Sequence, residues 1–189
     1  MKKLFLLFAV AAMAVSVLAE GHMKFKGIEM TGTPKAFVKQ LEAKGFSYMG
    51  EVEGTDVLIG NFAGYKNCKV FVISKDKEVI RVNVAFQDYD NWSSLYGNYT
   101  ALKDLLTTKY GQPAIDKEEW QSRIEPTDDN SKMHELRMDR ATFFSEFDTA
   151  EGAIQLQIIK LNYSMCVVCI SYFDNQSQER LKNEALDDL

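Results

Sequence analysis

Two kinds of hydrophobic spacing divide this chain. In two stretches apolar residues recur every three or four positions. Phe37, Val38 and Leu41 follow Thr33-Pro34, a capping residue and a proline suited to the first helical position, and Gly45 offers a left-handed stop. Trp92, Leu95, Tyr96, Tyr99, Leu102, Leu106 and Tyr110 keep the same period from a start at Asp90 or Asn91 to Gly111 and Pro113. Both stretches predict helices. Elsewhere the pattern alternates, which predicts strands over residues 57–62, 69–73, 79–86, 115–121, 136–147, 154–161 and 165–173. The polar run 125–135 between two of them reads as a long exposed hairpin loop.

The elements fall into two similar series. "GTPKAFVKQLEAKGF" parallels "GNYTALKDLLTTKYG", and "VIRVNVAFQD" parallels "CVVCISYFD". The expected fold is therefore α+β, with helices packed on a mainly antiparallel sheet. It divides into two tandem halves of a helix and about four strands each, near 27–88 and 89–174. Residues 175–189 form a tail, with Leu181, Ala185 and Leu189 spaced to dock as a short helix or to fray.

The helix–"KYGQP"–strand pattern resembles a family of uncharacterised secreted proteins of Bacteroides-type bacteria, over most of the chain. The doubled helix-plus-meander arrangement resembles the β-lactamase-inhibitor-protein-like fold in architecture alone. Neither resemblance brings a catalytic motif, and a fold does not by itself specify an activity.

The first residues change the picture of where the chain works. Lys2 and Lys3 precede an apolar run from Leu4 to Leu18, closed by Ala19. A basic start, a short apolar core and a small residue at its end read as a secretory signal over residues 1–19. The expectation is an exported chain from residue 20 onward, a single domain, periplasmic or extracellular. No further run is long enough to span a membrane after signal removal. Loss of Lys2 and Lys3 makes the exported chain more acidic than the net −5 of the full sequence. That balance, without a basic stripe, argues against nucleic acid as a partner.

The candidate chemistry is sparse. Cys166-Val-Val-Cys169 has redox or metal spacing, but its neighbours Met165, Val167, Val168, Ile170 and Tyr172 are strand residues. Residues three apart on a strand point to opposite faces, roughly 10 Å apart at Cα, too far for a disulfide. With Cys68 the only other cysteine and His22 and His134 the only histidines, no four-ligand metal set is visible. The reading is buried strand thiols, no metal and no cofactor.

"FQDYDNWSSLYGNY" is the richest segment. Asp88 and Asp90 lie close together, yet Trp92 interrupts any calcium-loop pattern. Capping by Asp90 or Asn91 with the aromatics in the core is one reading. The other keeps Tyr89, Trp92 and Tyr96 exposed as a binding platform, since aromatics anchor protein interfaces and stack on sugars. Asp148-Thr149-Ala150 fits a short O-glycosylation acceptor of Bacteroides-type bacteria, at Thr149. No nucleophile-elbow, zinc-protease or phosphate-loop motif occurs. The expected function is a binding module for a protein, peptide or glycan through a sheet face or loops. The alternatives are a small hydrolase with an unrecognised site and a structural envelope protein.

Overall fold

Alternating runs need partners, and here they find them in one sheet. A computed structural model describes residues 21–162 and 165–187; the segment 1–19 read as a signal lies outside the described residues. A small hairpin, β1 (Lys24–Phe25) and β2 (Ile28–Glu29), precedes helix α1 (Pro34–Ala43). Strands β3 (Ser47–Val52), β4 (Thr55–Phe62), β5 (Tyr65–Lys75) and β6 (Glu78–Tyr89) follow, then helix α2 (Trp92–Tyr110). The chain continues through β7 (Ile115–Trp120), α3 (Asp129–Arg137), β8 (Ala141–Asp148), β9 (Gly152–Lys160), β10 (Cys166–Asp174) and α4 (Asn175–Asp187). The fold is α+β. Eight strands form one antiparallel sheet in the order β3-β4-β5-β6-β10-β9-β8-β7, so β6 and β10 meet at its centre.

Local chemistry places the helices. Thr33 caps α1 by accepting the Ala36 N–H, with Pro34 at the first turn, and Phe37, Val38 and Leu41 are buried. Asn91 caps α2 by accepting the Ser94 N–H at 2.9 Å. Gly111 ends that helix at φ +88°, a conformation that glycine adopts without strain. One side of the sheet carries the row Leu58, Val70, Val84, Ile170, Leu156, all buried. The apolar faces of α1, α2 and α3 share a core with this side. Phe25 fills the gap under the hairpin, its ring 5.3 Å from both Phe62 and Tyr172.

The CVVC segment lies on the central strand β10 with its alternation intact; the irregularity in its pairing with β6 falls opposite Val168, where β6 has the extra residue. Cys166, Val168, Ile170 and Tyr172 enter the helix-side core. Val167, Cys169 and Ser171 point to the other face and are also buried. All three cysteines are free. Burial raises each thiol above its ordinary range, and pushes Cys169 up to about 11. Alkylation by iodoacetamide at neutral pH is therefore expected to be about a hundredfold slower in the native protein than in urea. A thiol that reacts at the free-cysteine rate without unfolding would contradict this placement.

Three expectations from the pattern change. The polar run 125–135 is not a hairpin loop: Asp128 and Ser131 form a reciprocal capping box, and α3 buries Met133 and Leu136. In consequence the strand expected from residue 136 begins only at Ala141. The hairpin β1–β2 and the strand β3 had no alternation strong enough to announce them. The tail forms α4, anchored at the end of the sheet by Lys75–Glu184 and Arg180–Glu78 ion pairs.

That end is tied together by one carboxylate. Asp174 is fully buried and accepts the Met23 N–H at 2.7 Å, the Ser177 N–H at 2.9 Å and His22 Nδ1 at 3.1 Å. It caps α4 and holds the N-terminal hairpin to β10 with the same two oxygens.

Candidate functional site

The segment Asp88–Tyr96 does not form an exposed aromatic platform. Trp92 is 6% exposed, stacked on Tyr96 at 5.1 Å and wedged against Trp120 at 5.0 Å and Phe143 at 4.8 Å. Tyr96 is half-buried, and its hydroxyl donates to Glu118 at 2.7 Å. Tyr89 packs against the core. The physical reason is the helical period itself: the spacing that aligns these rings also turns them toward β7 and β8. Asp88 and Asp90 stay exposed, and Asn91 rather than Asp90 is the cap. Asp88 borders a hollow of about 360 Å³ that also takes in Tyr65, Lys69 and Met165. Among the described residues no group of three His, Cys, Asp or Glu side chains is placed to hold a metal. Thr149 is half-buried, donates its hydroxyl to the Gly152 carbonyl at 2.9 Å and accepts the Gly152 N–H at 3.0 Å, so it closes the β8–β9 turn.

Beside Tyr96 lies a polar network. Lys103 pairs with Asp116 and Glu118, each at 2.7 Å. Tyr99 donates to Ser145 at 2.8 Å, and Ser145 donates to Asp116 at 2.9 Å. Burial alone would lower the Lys103 ammonium; its bonds to the two carboxylates more than reverse this and hold it well above the usual lysine range. Burial raises Tyr99 to about 12. Both shifts favour the species present at neutral pH, the charged lysine and the neutral phenol. Their stabilisation is complete below the unfolded values near roughly pH 10 and is lost as pH rises through the folded ones. Urea midpoints are expected to hold from pH 7 to 9 and fall steeply between about pH 10 and 12. A midpoint flat to pH 12 would contradict the network.

The other side of the sheet is a second candidate surface. One row across it reads Ile59, Lys69, Ala85, Cys169, Gln157, Phe144. The next reads Val57, Phe71, Asn83, Ser171, Gln155, Glu146. The helices α1 to α3 turn their apolar faces to the opposite side, while α4 packs against β9 and β10 and pairs Glu184 with Lys75 and Arg180 with Glu78 at the end of the sheet. At the centre of this open face the small side chains Ala85, Val167, Cys169 and Ser171 are buried beneath larger neighbours. Around them Val57, Ile59, Phe71, Ile73, Phe144, Ile159 and Phe173 are half-buried. A face that only met water would carry Lys, Glu and Thr at such positions.

Two polar groups on this face lack partners among the described residues. Arg81 lies with its guanidinium 5.5 Å from the Phe173 ring centroid, and its Nε has no hydrogen bond. Asn83 Oδ1 has none either. Arg81 is opposite Phe173, and Asn83 opposite Ser171, on paired strands. A donor and an acceptor withheld from water amid apolar ribs are costly in isolation, and a docked ligand that bonds them offsets that cost. Charges on the face are mixed, with Lys69, Arg81 and Lys117 against Glu119, Glu146 and Asp148, and the Glu146 carboxylate accepts from Gln155 at 2.6 Å. The arrangement suits recognition; it brings no nucleophile and base together.

Sequence reasoning named a sheet face but not which one, although a signal for it was present. The second-face positions of β4, β5 and β10 are apolar in the sequence itself. The pattern fixed neither which face the helices cover nor that one face stays open. No protein-family model matches the chain, and no curated protein or solved structure matches it.

Proposed function

We propose that the chain is an exported binding module that holds a protein, peptide or glycan against the face of its sheet opposite α1, α2 and α3. The observation that carries this reading is the combination on one face of apolar ribs with the unpartnered Arg81 Nε and Asn83 Oδ1. Apolar area excluded from water supplies affinity at about 25 cal/mol per Å², and the two polar groups supply orientation. The ribs favour a protein or peptide surface within that set, since Phe71 and Phe144 offer ring area without a polar tip. Export rests on the signal read in residues 1–19.

The test is capture from envelope extracts by the immobilised protein and by a Phe71→Arg/Phe144→Arg variant. Both side chains are half-buried, so the variant is expected to fold with its melting temperature nearly unchanged. A component retained by the parent protein and lost with the variant supports the reading. Equal retention by both would remove this face as the site.

A further inference from the structure

A second surface lies on the helix side of the sheet, independent of the open face. Two hollows of about 540 and 240 Å³ share Lys26, Phe62, Lys109, Tyr110 and Tyr172 in their walls, and so run into one another as a groove. One bank is the last two turns of α2; the other is the β1–β2 hairpin with the β4–β5 turn, and β10 forms the floor.

The two ends of the groove differ in chemistry. The smaller hollow is apolar, walled by Leu102, Leu105, Leu106 and Ile170, with Leu105 53% exposed. The larger one is rich in lysine: Lys24, Lys26 and Lys109 line it, with Glu151 as the one carboxylate in its wall. Lys24 shares its charge with Glu29 at 3.3 Å, while Lys26 and Lys109 have no acidic partner among the described residues. In a chain of net charge −5 this grouping runs against the overall balance. A third observation points the same way. Tyr172 is only 6% exposed and lines both hollows. Its phenol places a hydrogen-bond donor in the wall that the two hollows share.

We infer that this groove binds a single-chain anionic amphiphile of the fatty-acid class as a free monomer. Its carboxylate lies toward Lys26, Lys109 and the Tyr172 hydroxyl, and its chain along Leu102, Leu105 and Leu106. The apolar end excludes water from the chain, and the lysines select the sign of the head group.

The test is calorimetric titration of the purified protein with dodecanoate below its micellar concentration, beside dodecanol and dodecyltrimethylammonium. Dodecanoate is expected to bind at micromolar concentration, and dodecanol and the cation at least about tenfold more weakly. Lys26→Glu/Lys109→Glu, both at surface positions, is expected to weaken dodecanoate about tenfold or more without moving the melting temperature. Leu105→Asp is expected to do the same from the apolar end. Absence of binding, equal affinity for dodecanol, or indifference to both variants would overturn the proposal. So would association with anionic phosphatidylglycerol vesicles without uptake of the monomer, which would make the lysines a membrane-surface patch.

Discussion

Gly152→Ala is expected to destabilise the protein by about 3 kcal/mol or more. A Cβ at this position would stand 1.9 Å from the Phe173 carbonyl oxygen and 3.1 Å from Met23 Cε. Backbone cannot turn aside as a side chain does, so relief requires opening the pairing of Gly152 with Asp174. That pairing sits where the Asp174 carboxylate holds His22, the Met23 amide and α4, so opening it loosens three elements together. For a domain of this length the melting temperature should fall by roughly 6–12 °C. Gly97→Ala supplies the control. It lies exposed within α2 with nothing within 4 Å of its Cβ, and alanine there should stabilise by about 0.5–1 kcal/mol. A loss below about 1 kcal/mol at Gly152 would mean that the β9–β10 approach is looser than described.

Trp92→Ala is expected to cost about 3–5 kcal/mol in urea denaturation. The indole fills a cluster with Tyr96, Trp120 and Phe143, and its removal leaves a cavity that α2, β7 and β8 would have to collapse to close. The same substitution separates the two readings of this segment. A core tryptophan predicts a large loss of stability with binding unchanged once folded. A platform tryptophan predicts the reverse, little loss of stability and a loss of binding.

The contrast between Trp92 and Phe71 explains which parts of the molecule were legible in its sequence. Helical spacing found α1 and α2 because Pro34, Thr33 and Gly111 mark their ends chemically. Strand chemistry found β10 and placed Cys166 and Cys169 on opposite faces, because a period of two admits no other arrangement. The helix α3 was hidden because only Met133 and Leu136 in it are buried, too few for a stripe; the Asp128–Ser131 capping box was its one local mark. Periodicity says that two faces of a strand differ. It does not say which is covered when both are apolar, as in β5 and β10. Covering is a tertiary fact, decided by α1 and α2 settling on the side of Val70, Val84 and Ile170. The groove is further from sequence still, since Lys26, Lys109 and Tyr172 are brought together only by the hairpin folding back over β10.

The central claim is that partners meet the sheet face opposite α1, α2 and α3. Photo-cross-linking tests it most directly, with a benzophenone amino acid placed singly at Phe71 or Phe144 on that face, and at Tyr48 or Ile124 elsewhere on the surface. In cells that produce the protein, the account predicts a discrete adduct from Phe71 and Phe144 and none from Tyr48 or Ile124. Adducts confined to Tyr48 or Ile124, or their absence at all four positions, would contradict it.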